Sequence, residues 1–161
     1  MNNEETKIAN KYLTFVLATE EYAVDILRVQ EIKGWNKPTP IPNTPEYLCG
    51  VINLRGTIVP IIDLRLRFGL ERLPYGQMTV IVVVRVVSGN RERIMGIVVD
   101  AVSDVYDINE ADVKSTPEFG SVINIEFVKG LANVSEKMII ILEIDALLNS
   151  DELAIIEQSH H

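Results

Sequence analysis

The sequence predicts a mainly β fold organised as two small barrels. Short segments rich in branched and aromatic residues recur along the chain, and turn residues separate them at regular spacing, as in small barrels and sandwiches. A stretch of the first half is repeated in the second half, which indicates two copies of one β unit. Helical patterns are confined to short pieces after Asp63, around Asp145 and at the C-terminus.

The internal repeat is carried by residues 50–64 and 130–145. Each copy begins with Gly, an apolar residue, any residue, Asn and an apolar residue, and continues through a tight polar turn and an apolar run to an Asp. Residues 29–32 (Val-Gln-Glu-Ile) are echoed more weakly by residues 102–105 (Val-Ser-Asp-Val). We expect the two halves to fold alike and to lie side by side, with a partner binding at the seam between them.

The first elements follow from alternation and from proline positions. Residues 12–18 and 22–26 alternate around a Thr-Glu-Glu turn and predict a hairpin. Residues 27–33 fit either a strand or one helical turn. Residues 37–45 contain four prolines, which fix φ and remove hydrogen-bond donors, so this segment is predicted to be a stiff extended loop.

A second hairpin and a short helix follow the proline-rich loop. Residues 48–54 and 57–62 are predicted strands on either side of an Arg-Gly turn. Asp63 is a favourable N-cap for a helix over residues 64–68, and Gly69 is suited to end it.

The second half is predicted to begin after a connector at residues 70–77. Residues 78–87 and 93–100 predict a long hairpin, whose runs 80–84 and 97–99 are continuously apolar and are expected to be buried on both faces. The remaining predicted elements are a loop at 116–121, strands at 128–134 and 138–143, and an amphipathic helix at 151–157.

Composition argues against several classes of partner and compartment. The 161 residues are 47% hydrophobic and carry a formal net charge of −8, which argues against binding to nucleic acid or to anionic lipid. The single Cys49 excludes an intrachain disulfide. The N-terminus is polar and acidic, unlike a signal peptide, and no apolar run is long enough to span a bilayer. We therefore expect a cytoplasmic protein without direct membrane insertion.

The residues that most enzyme and metal sites require are scarce. The two histidines, His160 and His161, are interpreted as a tag remnant. The rest of the chain then has no imidazole base, no Cys and His cluster for zinc and no glycine motif for phosphate. We expect no catalytic residues, no metal and no cofactor. An enzyme built on carboxylates and arginine alone is left open as an alternative, as is a small barrel that binds nucleic acid.

A few residues instead indicate recognition. An Arg at the tip of a tight turn, Arg55, projects a cation with fixed geometry, although an ordinary solvated Arg is the competing interpretation. Glu31 lies in the echoed patch and is a candidate partner for it. Phe119 lies in a Pro-Glu-Phe-Gly loop, where it either packs into the core or anchors a contact.

These residues together resemble the CheW family of bacterial chemotaxis adaptors. The resemblance covers about residues 12–158. It is carried by motifs at residues 21–26, 29–32, 43–45, 50–56, 61–65, 96–105, 117–119 and 147–150. The family resemblance implies two pseudo-symmetric five-stranded SH3-like β-barrels around a shared hydrophobic core, with short helices and a C-terminal helix, and it implies no catalysis.

The resemblance also implies a single domain over residues 1–161. Its interleaved barrel subdomains are expected at roughly 12–77 and 78–150. The C-terminal segment 151–158 is expected to pack back onto the barrels, and residues 159–161 are assigned to the tag remnant.

The same resemblance implies two partners and the residues that meet them. One partner is the cytoplasmic hairpin tip of a chemoreceptor, and the other is the regulatory domain of the chemotaxis histidine kinase CheA. The implied receptor-binding residues are Val29, Glu31, Arg55, Val102 and Val105. The implied kinase-binding residues are Ile41, Gly50, Asn53, Leu54 and, at a second lateral contact, Phe119. An adaptor of a non-flagellar chemosensory pathway is the alternative within the family.

Overall fold

The computed structural model describes residues 9–115 and 125–148. The strands within these ranges are β1 Ala9–Leu17, β2 Glu20–Asp25, β3 Val29–Gly34, β4 Leu48–Leu54, β5 Thr57–Asp63, β6 Val80–Ser88, β7 Arg91–Val99, β8 Ala101–Asn109, β9 Val128–Val134 and β10 Lys137–Leu142. The α-helices in the same two ranges are α1 Leu64–Arg67 and α2 Ile144–Leu148. The predicted loop at 116–121, with Phe119, and the predicted helix at 151–157 lie outside the described residues.

The strands form two five-stranded sheets, and the protein is mainly β, as predicted. One sheet uses β3 to β7 in the order β3-β6-β7-β5-β4, and we call it the consecutive sheet. The other uses both ends of the strand sequence in the order β8-β1-β2-β10-β9, and we call it the split sheet. The chain therefore passes between the sheets only twice in the described residues, at 26–28 and at Asp100.

The two sheets repeat the same arrangement of strands. The predicted copies 50–64 and 130–145 form β4-β5 and β9-β10, each pair lying at one side of its sheet with β5 and β10 pairing parallel to the next strand. The echoed patches lie on β3 and β8, which are the opposite edges. The sheets do not follow the predicted halves 12–77 and 78–150, because the N-terminal hairpin pairs with the C-terminal strands.

Three hydrophobic clusters explain the apolar patterns. The largest draws on both sheets and both α-helices, and it includes Val82, Val84 and Val86 of β6. A second lies within the consecutive sheet and includes Ile81 and Val83 of the same strand. The third lies within the split sheet. Because alternate residues of β6 enter different clusters, the strand is buried on both faces and reads as a continuous apolar run.

Each sheet brings its edges together without closing by continuous strand pairing. After β3 the chain crosses to the opposite edge, where Thr39 and Val51 exchange two backbone hydrogen bonds of 2.9 Å. After β8, Lys114 and Leu131 exchange two backbone hydrogen bonds of 2.8 Å at the equivalent edge of the split sheet. We call these two contacts the closing bridges. The described sheets are thus open sheets with approaching edges, and the SH3-like form of the predicted barrels is not established by strand pairing.

Local sequence accounts for the turns and for the short helix. The side chain of Asp63 accepts a hydrogen bond from the Leu66 N–H at 3.3 Å and caps α1, as predicted. Arg55 and Gly56 both have positive φ, as do Ser135 and Glu136 at the equivalent hairpin. Two successive positive φ values match the right-handed twist of the flanking strands. The ambiguous segment 27–33 is a 3-10 turn followed by β3.

The described residues contain no helix long and apolar enough to cross a membrane. They also contain no group of three or more His, Cys, Asp or Glu side chains placed to hold a metal ion.

Candidate partner-binding site

An ion pair joins the two edges of the consecutive sheet. The Arg55 guanidinium, at the tip of the β4–β5 turn, donates a hydrogen bond to the Glu31 carboxylate on β3. The Arg55 side chain is 69% exposed and the Glu31 side chain 27%. The predicted pairing of these two residues is confirmed. A cation so exposed contributes little to folding, and most of its surface is free to meet a partner.

The turn that carries Arg55 is held in one conformation. The Asn53 side-chain oxygen accepts a hydrogen bond from the Gly56 N–H at 2.8 Å. Gly56 takes a φ of +90° without the steric cost that a side chain would add. Arg55 itself has a φ of +50°. The turn therefore presents its cation from a fixed backbone, and Asn53 acts chiefly as the side chain that fixes it.

The predicted receptor-binding valines lie on the edge strands of both sheets. Val29 on β3 and Val102 on β8 are half-buried and both pack against the shared core. Val105 is 44% exposed, and its counterpart in the repeat, Ile32 on β3, is also 44% exposed. No strand pairing joins β3 to β8. Ile32 was not predicted as a site residue, although its place in the echoed patch, equivalent to Val105, was a usable signal.

The predicted kinase-binding residues divide by exposure. Asn53 is exposed and Ile41 is half-buried. Leu54 is only 6% exposed and belongs to the core of the consecutive sheet, and Gly50 is buried beneath Thr39 and Pro40. Both residues support the loop and the hairpin from within, and their assignment to the kinase contact stays a prediction. Phe119 lies outside the described residues and stays a prediction.

A cleft of about 320 Å³ opens beside the proline-rich loop. Its lining includes the stacked rings of Trp35 and Tyr75, whose centroids are 3.9 Å apart. The Tyr75 hydroxyl donates to the buried Asp63 carboxylate at 2.7 Å and lies 3.6 Å from the Cys49 sulfur. Burial raises the pKa of the Cys49 thiol, and the hydrogen bond with Tyr75 only partly offsets this. The thiol is thus held protonated, which is the wrong state for a nucleophile.

Comparison with known proteins places these features in one family. The CheW-like domain family matches residues 11–152. The chain is 42% identical to the chemotaxis protein CheW of Klebsiella aerogenes over 150 residues, covering 93% of this chain and 88% of that one. It is 35% identical to the chemotaxis protein CheW of Rhizobium meliloti over 155 residues, covering 94% and 97%.

A solved structure agrees in fold as well as in sequence. The crystal structure of the scaffolding protein TtCheW from Thermoanaerobacter tengcongensis is similar with a TM-score of 0.80 and 36% identity, covering 90% of this chain and 91% of that chain. The match extends over both sheets, because the covered share exceeds what either sheet contains. The chain therefore belongs to the CheW family of chemotaxis adaptor proteins.

Proposed function

We propose that this protein is a non-catalytic scaffold that couples chemoreceptors to the chemotaxis histidine kinase CheA. The observation that carries the proposal is the exposed Arg55 cation, fixed on a tight turn and paired with Glu31 on the edge strand β3, in a chain of the CheW family. A fixed charge next to partly exposed valines suits recognition of another protein, since charge gives specificity and apolar surface gives affinity.

The receptor hairpin tip is assigned to the edge strands β3 and β8 and to the β4–β5 turn, which carry Val29, Glu31, Arg55, Val102 and Val105. The kinase regulatory domain is assigned to the proline-rich loop and the β4–β5 hairpin, which carry Ile41, Gly50, Asn53 and Leu54, with Phe119 at a second contact. We further propose that the two sheets correspond to the SH3-like barrels of the family. The protein is expected to act in the cytoplasm and to join receptor arrays at the membrane through its partners.

Replacing Arg55 with glutamate tests the receptor surface. The variant sets an acid beside Glu31 and reverses the one charge that projects from the turn, so we expect receptor binding to weaken by on the order of tenfold or more. The melting temperature should stay within about 2 °C, because an exposed side chain contributes little to folding. Isothermal titration of the purified chain with a receptor hairpin-tip fragment measures the first quantity, and differential scanning calorimetry the second.

Lys137→Glu is the matched control for this test. Lys137 lies on the equivalent hairpin of the split sheet and is 57% exposed, with Glu21 at 3.6 Å. The Lys137→Glu substitution reverses a similar charge away from the assigned surface, so the receptor affinity of this variant should match that of the unmodified chain. Equal losses in both variants would show a general charge effect and would remove Arg55 from the receptor surface. Early unfolding of Arg55→Glu would assign Arg55 a structural role.

A further inference from the structure

A bidentate ion pair fixes the first passage between the sheets, at residues 26–28. Arg28, in the turn between β2 and β3, donates from Nη1 to Asp145 Oδ1 and from Nη2 to Asp145 Oδ2, both at 2.7 Å. Asp145 Oδ1 also accepts from the Val87 N–H at 2.8 Å. Both side chains are about 30% exposed, at 30% and 29%. One carboxylate on α2 thereby fixes both the passage into β3 and the end of β6.

The second passage is held in the same way. Arg65 on α1 donates from Nε to Asp100 Oδ1 at 2.8 Å and from Nη2 to Asp100 Oδ2 at 2.7 Å. Asp100 Oδ2 also accepts from the Ala18 N–H at 3.0 Å, in the β1–β2 turn. The side chains are 12% and 31% exposed. Asp100 directly precedes β8, just as Arg28 directly precedes β3.

These two pairs lie at similar places in the two units with their charges reversed, although Arg28 and Asp100 are offset by one residue in the aligned repeat. Arg65 is the second residue of α1, and Asp145 is the second residue of α2. Helix α1 supplies the cation, Arg65, and the acid Asp100 lies at the passage. Helix α2 supplies the acid, Asp145, and the cation Arg28 lies at the passage. Similar surroundings thus hold the pair with either charge on the helix, which motivates a charge swap as a test.

We propose that Arg28–Asp145 and Arg65–Asp100 are positioning pairs that set the two edge strands β3 and β8 in place relative to each other. The inference rests on the proposed function for its biological consequence, since those strands carry the residues assigned to the receptor. Within the described residues the backbone passes between the sheets only at these two points, so each pair lies where the two sheets are covalently joined. Paired guanidinium and carboxylate groups fix direction as well as distance, which a single hydrogen bond does not.

Electrostatics agrees with this geometry. The hydrogen bonds from Arg28 hold the pKa of Asp145 below its usual value. Burial by itself would raise the pKa of Asp100, but the hydrogen bonds from Arg65 and from the Ala18 N–H, with the Arg65 charge, leave it below its usual value. Both carboxylates are therefore ionised at neutral pH and hold their guanidinium partners as full ion pairs.

Amide hydrogen exchange of the purified full chain, without any partner, tests the positioning directly. In Arg28→Ala we expect exchange on the order of tenfold faster in β3 and at the end of β6, with β8 unchanged. In Arg65→Ala the faster exchange should fall in β8 and in the β1–β2 turn, with β3 unchanged. Lys11→Ala is the control. It removes the ion pair between Lys11 and Asp107, whose charged atoms are 2.8 Å apart and whose side chains are both 63% exposed. This ion pair lies at neither passage between the sheets.

The double variant Arg28→Asp with Asp145→Arg keeps the test informative if a single variant folds poorly. It reproduces the charge order of the other pair, so β3 should be better protected than in Arg28→Asp or Asp145→Arg alone. A double variant no better protected than the singles overturns the inference, as does faster exchange spread evenly over both sheets.

Receptor binding then separates this inference from the proposed function. With a receptor hairpin-tip fragment as the probe, Arg28→Ala should bind on the order of tenfold more weakly, and the double variant should recover part of that loss. The variants could show the expected local changes in exchange while the unmodified chain does not bind the receptor fragment. That result would support the positioning pairs and contradict the proposed function. Normal binding by Arg28→Ala despite a loosened β3 would overturn the link between positioning and recognition.

Discussion

Replacing Gly50 with alanine lowers the free energy of unfolding by roughly 2–6 kcal/mol, from overpacking and from backbone strain together. A Cβ at this position would lie 2.1 Å from the Thr39 carbonyl oxygen and 2.6 Å from its carbon. Gly50 also has a φ of +140°, which side-chain-bearing residues rarely adopt. The Thr39–Val51 closing bridge therefore depends on the missing side chain. Urea unfolding of the purified chain measures the loss.

Gly130→Ala is the matched control, because Gly130 begins the second copy of the repeat. Its added Cβ would meet the Val113 side chain at 2.5 Å and the Lys114 carbonyl oxygen at 2.7 Å, and no positive φ is required there. We expect Gly130→Ala to lose less stability than Gly50→Ala, by about 1–3 kcal/mol, because Gly130 lacks the positive φ that would strain an alanine. If Gly50→Ala proved as stable as the unmodified chain, the closing bridge would not depend on the missing side chain.

Truncating Phe68 to alanine is expected to lower the free energy of unfolding by about 3–5 kcal/mol. Phe68 ends α1, is 3% exposed, and lies between Tyr22 of the split sheet at 5.7 Å and Phe127 at 6.4 Å between ring centroids. Tyr22 also stacks on Phe15 at 6.1 Å. The rings thus run through the core that both sheets share, so their removal leaves a cavity at the join of the two units.

Ile58→Ala is the comparison for this truncation. Ile58 is 55% exposed on β5, and its loss should change stability by less than about 0.5 kcal/mol. Chemical unfolding of both variants in parallel measures the difference. If Phe68→Ala proved no more destabilising than Ile58→Ala, the shared core would not be what joins the sheets.

The hairpins could be predicted because local sequence determines them. The turn at Arg55-Gly56, the cap at Asp63 and the doubly buried run in β6 all follow from residues next to one another. Strand β8 was missed as an element, because its exposed residues do not alternate with buried ones and acidic side chains recur along it. An edge strand paired on one side only has a weaker apolar pattern than a central strand.

Contacts between distant residues account for what the sequence could not predict. Pairing of the N-terminal hairpin with β8 and β10 depends on contacts across the whole chain, so the division near residue 77 did not match the sheets. The ion pair between Arg28 and Asp145 joins residues 117 apart in sequence. The burial of Gly50 and Leu54 likewise follows from how the sheet edges meet. Glu31 and Arg55 were paired correctly because both lay in recognisable motifs.

The most direct test of the proposed scaffold is whether this chain bridges its two partners. A receptor hairpin-tip fragment and a kinase regulatory domain, mixed with and without the purified chain, are followed by analytical ultracentrifugation. We expect a species containing all three proteins, which is absent without the chain and is depleted in Arg55→Glu. If the receptor fragment and the kinase domain instead displaced each other from the chain, or if the chain bound neither, the coupling function would be contradicted.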